Sequence, residues 1–355
     1  MSMDCQDGRR TFMVFVTKGL EWIAEDEIKK KLPDASIVQK SDKRIVFSAD
    51  SVSFEDLSNL RTVDDVHILL QQPAEIKGLS EQSVVENLPV DKINEAKDFI
   101  GGFRRLDDTF SITLSRYKNK EIDLDALESK LSKIIADRLK MRYTAMNHEN
   151  FDIRVHIESS SLFFSCRLSR ISSYVRSYRV CEREGSLRPP IAAALCMLAD
   201  PEPQHRLVDN FCGTGTILCE ALLQGLDPYG GDIDEEAVRC AAKNMKGLSK
   251  ESARNLRVLD AAASKWQSGY FDYAISNYPW GKQVLLTGIV RLYTNSIAEY
   301  ARILKKSGTL VLLGINPDLM VKHVKKNFPN HQITKFRIGF LGETPWVVCA
   351  KPKIE

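Results

Sequence analysis

The segment DNFCGTGT (Asp209 to Thr216) follows a short apolar run, HRLVDNF, and opens a helical pattern, TILCEALLQG. Gly213 and Gly215 remove side chains at this strand-to-helix turn, so a ligand can lie against the backbone at the carboxyl edge of a sheet. Cys212, Thr214 and Thr216 share the turn with them. A lone G-x-G is weak, because a plain strand-to-helix turn has the same composition. Two acids strengthen it. Asp232 ends the next strand, nineteen residues after Gly213 and near the ~20 expected of an acid that holds ribose hydroxyls; Ile233 follows it. Asp260 ends the third strand in RVLDAAA, where its carboxylate can accept a hydrogen bond from an adenine amine, and Ala261 is next in line. Taken singly, each acid reads as a helix cap or loop residue, and Asp234 is the expected cap of the helix beginning at Glu235. Together they describe an adenosine ligand spread over three strand ends. The loop lacks G-x-x-x-x-G-K-[ST] and the third glycine of a dinucleotide fingerprint. Asp209 at the strand end disfavours a pyrophosphate but suits a cationic amino-acid group. S-adenosylmethionine, leaving S-adenosylhomocysteine, fits these residues better than NAD.

The fourth strand ends in SNYPWG (Ser276 to Gly281). This tip resembles the [N/D]-P-P-[Y/F] signature of Rossmann-type methyltransferases that modify exocyclic base amines, with Tyr278 standing where the first proline would be. In such a tip the Asn277 side-chain oxygen and the following main-chain carbonyl, that of Tyr278, accept hydrogen bonds from an amine. They aim its lone pair at the methyl, so that alignment supplies much of the rate. Pro279 restrains the bend, and Trp280 would stack on an extruded base. Asn277 cannot act as a strong base; its role is orientation and polarisation, beside the cofactor. The plain alternative is an ordinary turn with Trp280 as a core aromatic.

Positioning these tips requires a parallel sheet. From Ile191 onward strands and helices alternate: the helix IAAALCMLAD, HRLVDNF, TILCEALLQG, YGGDID, EEAVRCAAKNM, LRVLDA, FDYAISN, a helix from Ile289 to Lys305, then TLVLLGI. That order predicts a doubly wound α/β domain, closed by a hairpin of ITKFRIGFL and WVVCAK. Before it stand two α+β blocks. One holds strands at Thr11–Thr17, Arg44–Phe47 and Val66–Leu70 with helices at Gly19–Leu32 and Phe54–Leu60; the other follows Pro73 and ends in the strand pair between Phe151 and Leu168. A chain of 355 residues holds two or three domains. Eight cysteines form no C-x-x-C pair and read as buried thiols, and six histidines lack ligand spacing, so no metal is expected. Cys212 has no basic neighbour to lower its pKa and is not read as a nucleophile. No run approaches the ~18 apolar residues of a membrane span, and the polar start MSMDCQDGRR lacks a signal-peptide core. A cytoplasmic protein is expected.

The whole chain resembles THUMP-containing tRNA guanosine-N2 methyltransferases. The stretch most particular to that family is SYRVCEREGSLRPPIAAAL (Ser177 to Leu195), where a Y-R…G-x-L-x-P-x-x-A-A-A pattern is typical. The resemblance implies a ferredoxin-like domain at 1–72, a THUMP RNA-binding domain at 73–168, a linker at 169–188 and a Rossmann-fold methyltransferase domain at 189–355. It implies that Ser186, Leu187 and Pro189 lie near the methionine end of the cofactor, that the product is N2-methylguanosine in tRNA, typically in the acceptor stem, and that eukaryotic relatives use a small activator subunit.

Charge supports an RNA partner independently. Between Lys133 and Arg188 eleven basic residues face six acidic ones, a local excess of five, although the chain as a whole carries only +3. Lys140, Arg142, Arg167, Arg170, Arg176 and Arg179 are the candidate phosphate contacts; the bland reading is a solvated linker face. Two other functions share these features: adenine-N6 methylation of DNA or RNA, since the asparagine tip serves both amines, and RNA binding without catalysis on a retained cofactor fold.

Overall fold

The computed structural model describes residues 9–50, 52–145, 150–279, 286–339 and 342–353. The chain divides into two compact units, one running to Phe15 and from Glu25 to Ser173, the other comprising Val16–Ala24 and Tyr174 onward.

From the amino-terminal side the elements run β1 (Arg10–Val16), α1 (Glu21–Lys31), β2 (Ser36–Ser41), β3 (Arg44–Ala49), α2 (Phe54–Ser58) and β4 (Val63–Glu75). They continue through α3 (Glu81–Glu86), α4 (Val90–Phe103), β5 (Thr109–Tyr117), α5 (Leu124–Leu139), β6 (Arg142–Tyr143), β7 (Phe151–Glu158) and β8 (Ser161–Arg167). One eight-stranded sheet, ordered β2-β3-β1-β4-β8-β7-β5-β6, takes in all of these strands. Buried Ile153, Val155 and Ile157 alternate along β7 with Asp152, Arg154 and His156, and the face of His156 also carries a small apolar cluster of Met13, Val46, Leu69 and Phe163. Helix α4 packs on β4 and α5 on β5, burying Ile93, Ala96 and Ile100 from one and Leu127, Leu131 and Ile135 from the other.

The domain boundary expected at Pro73 falls inside β4. Register shifts between Leu69 and Gln71 and between Gln71 and Ala74 let the strand pass the proline and pair on, Ala74 with Leu162 and Glu75 with Ser161. Strand β2, which the sequence reading did not include, is a polar edge that pairs antiparallel with β3.

The second unit carries α6 (Pro189–Leu198), β9 (Arg206–Asp209), α7 (Thr216–Leu223), β10 (Asp227–Asp232), α8 (Glu235–Lys246) and β11 (Leu256–Val258). After these come β12 (Phe271–Asn277), α9 (Leu286–Ile303), β13 (Leu304–Gly314), α10 (Pro317–Asn327), β14 (His331–Arg337) and β15 (Trp346–Pro352). Its seven-stranded sheet has the order β11-β10-β9-β12-β13-β15-β14. The pairs among the first five strands of that row are parallel; β15 and β14 close the edge as the expected antiparallel hairpin. Parallel strands covered on both faces are apolar throughout their centres, as Leu207 and Val208 of β9 and Ala274 and Ile275 of β12 are. Helix α6 is apolar all round, starts on Pro189 at its first position and is almost wholly buried. The strand order reverses between β10 and β12 on either side of β9, and in open α/β sheets that switch point is where a ligand-binding crevice opens.

Candidate active site

At the carboxyl end of β9 the chain turns through Asn210 to Gly215 into α7. Gly213 has φ +51° and Gly215 φ +78°, both in the left-handed region. A Cβ on Gly215 would stand 3.0 Å from Cβ of Ala241 on α8, so a side chain there meets both strain and a wall. The turn is tied to the next strand: Gly213 N–H donates to Asp232 Oδ2 at 2.9 Å, and Cys212 N–H to the Gly231 carbonyl. Asp232 Oδ1 accepts from Asp234 N–H, while Asp234 caps α8 through the amides of Glu236 and Ala237. Asp232 is thus oriented by two amides at the tip of β10. Beside it Ile233 is 76% exposed, an apolar side chain held at the sheet edge. Asp260 lies beyond β11 and accepts from Ala262 N–H at 2.8 Å; Ala261 is buried. The expected side chains Thr214 and Thr216 are buried within the turn and the first position of α7. Burial pushes the Cys212 thiol well above its usual range, which suits packing rather than nucleophilic chemistry.

Asp209 is 1% exposed. Its Oδ1 accepts from Ser276 Oγ at 2.5 Å and from Phe211 N–H at 3.0 Å. Tyr300 Oη lies 2.5 Å from the same Ser276 hydroxyl and accepts from Asn210 N–H. Burial nevertheless dominates and raises the Asp209 pKa to about 7. A carboxyl with a higher pKa folded than unfolded supports the fold fully below the unfolded value, 3.8, and loses that contribution as pH climbs through about 7. Against an Asp209→Asn variant, the thermal midpoint of the unliganded wild type should therefore fall across that window. Parallel midpoints would remove Asp209 from the titration.

Asn277 is the last residue of β12, half-buried and in register with Leu313 of β13. Pro279 is half-buried just beyond it, while Trp280 lies outside the described residues. Tyr278 is buried completely; its ring lies 4.5 Å from that of Tyr293 and 4.6 Å from that of Phe211. Three residues behind the tip escaped the sequence reading: Tyr293, Ser296 and Tyr300. They stand on one face of α9 at spacings of three and four, a periodicity present in the sequence but meaningless until α9 is placed behind β12.

The segment before α6 is bound onto the glycine turn. Thr214 Oγ1 donates to Ser186 Oγ at 3.1 Å, and Ser186 is fixed in turn by the Arg183 carbonyl. Asn244 of α8 holds the Cys181 amide and carbonyl and also the Thr214 carbonyl. Arg183 meets Asp234 at 2.6 Å. Ser186, Leu187 and Pro189 thus belong to this end of the sheet, the latter two buried. One expectation about this segment fails. Cys181 and Cys240 form a disulfide rather than two thiols, because the Asn244 contacts lay residue 181 along α8; the five other cysteines described are free and buried.

Two candidate phosphate contacts also require correction. Arg167 is buried and donates from Nε to Asp65 Oδ2 at 3.1 Å, with Asp152 at 3.7 Å. Arg176 is buried on Glu220, whose Oε1 also accepts from Tyr178 Oη. Both guanidiniums balance interior acids, so neither presents charge to a ligand. Lys140, Arg142 and Arg170 are exposed, and Arg179 pairs with Glu182. Among the described residues no group of three or more His, Cys, Asp or Glu is arranged to hold a metal, and no helix is long and apolar enough to cross a membrane.

Comparison with known proteins agrees with this geometry. Residues 176–344 match the family described as "UPF0020: RMKL-like, methyltransferase domain". The chain is 28% identical over 170 residues to the human U6 snRNA (guanine-N(2))-methyltransferase THUMPD2, covering 47% of this chain but only 33% of that protein. It is 24% identical over 331 residues to a tRNA (guanine(6)-N2)-methyltransferase of Archaeoglobus fulgidus, covering 85% of this chain and 82% of the relative. Among solved structures, TrmN from Thermus thermophilus superposes with a TM-score of 0.77 at 20% identity, over 97% of this chain and 99% of that one. The structure described as "SMU.472, a putative methyltransferase complexed with SAH" gives 0.73 at 15%, over 99% of this chain and all of the other. At these identities the superpositions establish the fold. Residues 176–344 thus match a methyltransferase-domain family model, and the fold that contains them is Rossmann-like.

Proposed function

We propose that the protein transfers a methyl group from S-adenosylmethionine to the exocyclic N2 of a guanine in structured RNA, with tRNA as the first candidate. The observation that carries this reading is the side-by-side placement, in one parallel sheet, of a donor-binding pair of tips (β9 and β10) and an Asn277-tipped β12. The residues present fit the donor. Asp209 offers a buried carboxylate for its ammonium group, Asp232 an oriented carboxylate for ribose hydroxyls, and exposed Ile233 an apolar surface for adenine, with Asp260 taking the adenine amine. When bound, the donor supplies an electrophilic methyl on a sulfonium. The chain's own contribution is geometric: the Asn277 oxygen and the Tyr278 carbonyl accept from the guanine amine and orient its lone pair. No strong base is required, because the methylated amine yields its proton readily to water.

Resemblance to the Archaeoglobus and human relatives, both named for guanine N2, supports guanine over adenine. It also admits a small nuclear RNA as the substrate. The ferredoxin-like and THUMP identities of 1–72 and 73–168 belong to the same reading, with Lys140, Arg142 and Arg170 as exposed phosphate contacts. Arg179 and an activator subunit are further expectations of it, as is a cytoplasmic setting.

Incubation with labelled donor and separate pools of tRNA, small nuclear RNA and DNA, followed by mass spectrometry of nucleosides, tests the assignment. N2-methylguanosine is expected; N6-methyladenine or no product would replace it with one of the two competing functions. Asp232→Ala should weaken donor binding about 10-fold or more in calorimetry, since hydrogen bonds to a charged acceptor are lost. An unchanged affinity would withdraw the ribose role.

A further inference from the structure

Tyr278 occupies a position where the related signature has a proline. A proline stiffens the bend through its ring and carries no N–H. Here the N–H is used: it donates to the Leu313 carbonyl at 2.9 Å, carrying the β12–β13 pairing one residue past Asn277. The side chain turns inward and is buried completely. Its Oη lies 2.7 Å from Ser296 Oγ, and Ser296 Oγ lies 2.6 Å from the Leu292 carbonyl one turn back along α9. A serine hydroxyl has one proton, and a carbonyl can only accept. Ser296 therefore donates to Leu292, and Tyr278 donates to Ser296. The phenol ring is sandwiched between Tyr293 of α9 and Phe211 of the glycine turn. Phe211 N–H in turn donates to Asp209.

We propose that the Tyr278 side chain, locked by Ser296 and by the Tyr293 and Phe211 rings, is a positioning device that replaces the missing proline and holds the Asn277 tip in register with the donor-binding turn. The ring joins the nucleobase tip of β12 to the turn after β9, so the two halves of the reaction geometry share one rigid anchor. This rests on the methyl-transfer reading above. It assigns Ser296 and Tyr293, which touch neither donor nor base in that reading, a role in rate rather than in affinity.

The test compares Tyr278→Phe, Ser296→Ala, the double variant and Ser296→Thr, measuring kcat and KM for the RNA product identified in the wild type, donor affinity by calorimetry, and thermal midpoint. Tyr278→Phe keeps the stacked ring and removes only the hydroxyl. It is expected to lower kcat about 10-fold, because small displacements of aligned groups are costly, while donor affinity and KM stay within twofold. Ser296→Ala should be at least as slow, since it leaves the buried Tyr278 hydroxyl without its acceptor. The double variant should be no worse than Ser296→Ala, as expected when both changes break one bond. Ser296→Thr, which retains a hydroxyl, should recover most of the rate. A purely structural hydroxyl would lower the midpoint of Tyr278→Phe and leave its kcat unchanged at a temperature where it is folded; that outcome overturns the proposal. Absence of N2-methylguanosine with the wild type is a separate failure, that of the functional reading. Tyr278→Pro should not restore activity, because it removes the donor to Leu313 and empties the site between the two rings. A proline variant as fast as the wild type would also overturn the proposal.

Discussion

Replacing Asn277 by alanine should lower methyl transfer to about a hundredth of the wild-type rate or less while leaving donor affinity intact. The side chain stands at the last paired position of β12, and its backbone is held by pairing with Leu313. Ser276 and Tyr278 on either side of it are buried and hydrogen-bonded, so truncation at 277 leaves the tip's course unchanged. What is lost is one of two acceptors that aim the amine, and alignment errors of about 1 Å are worth about 100-fold. In the proposed reading the donor is held from other strand ends, at Asp209, Asp232 and Asp260. Single-turnover rates and calorimetry on the same preparation separate the two quantities. Wild-type turnover by Asn277→Ala would discard the proposed orientation of the base. A parallel loss of donor affinity would place Asn277 in the donor site instead.

Arg176→Ala should cost stability rather than RNA affinity. Glu220 is completely buried on α7, and Arg176 and Tyr178 both direct donors at its Oε1. Removing the guanidinium strands an interior carboxylate, and breaking such a pair typically costs about 3–5 kcal/mol. Urea titration should show that loss as a lower midpoint with an unchanged slope. Arg142→Ala provides the contrast. Its partner Asp108 is on the surface, so folding should hold while RNA binding weakens and its salt dependence flattens. Equal stability of Arg176→Ala, accompanied by a loss of RNA binding, would return Arg176 to the set of phosphate contacts.

The strand tips of the second unit were legible because their polar residues sit where strands stop. Parallel strands run apolar until the sheet ends, so Asp209, Asp232 and Asn277 each mark a tip by breaking the pattern, and the glycines mark the turn where a helix must begin at once. What stood behind the tips was not legible. Tyr293, Ser296 and Tyr300 look like any helix interior, and nothing local says that the Ser296 and Tyr300 hydroxyls meet Tyr278 and Ser276 or that the Tyr293 ring stacks on Tyr278. The amino-terminal half was harder still. Pro73 suggested an end to a strand, yet two register shifts carry β4 past it, and these depend on β8, some ninety residues away in sequence. Strand β2 is mostly exposed and lacks alternation, so its place depends on β3. Charge was misread in the same way: a run of arginines gives a count, but Arg167 and Arg176 find their acids only after folding.

The bridge between Cys181 and Cys240 encloses the stretch that contains Ser186, the glycine turn, Asp209 and Asp232, while Asn277 stays outside it. When closed, it makes this stretch a covalent ring of about sixty residues, worth roughly 4 kcal/mol of lost unfolded-chain entropy in the simplest treatment. The tip of β12 receives no such restraint. A thiol reductant would thus lower the stability of the segment that carries the tips of β9 and β10, while Asn277 lies outside the ring.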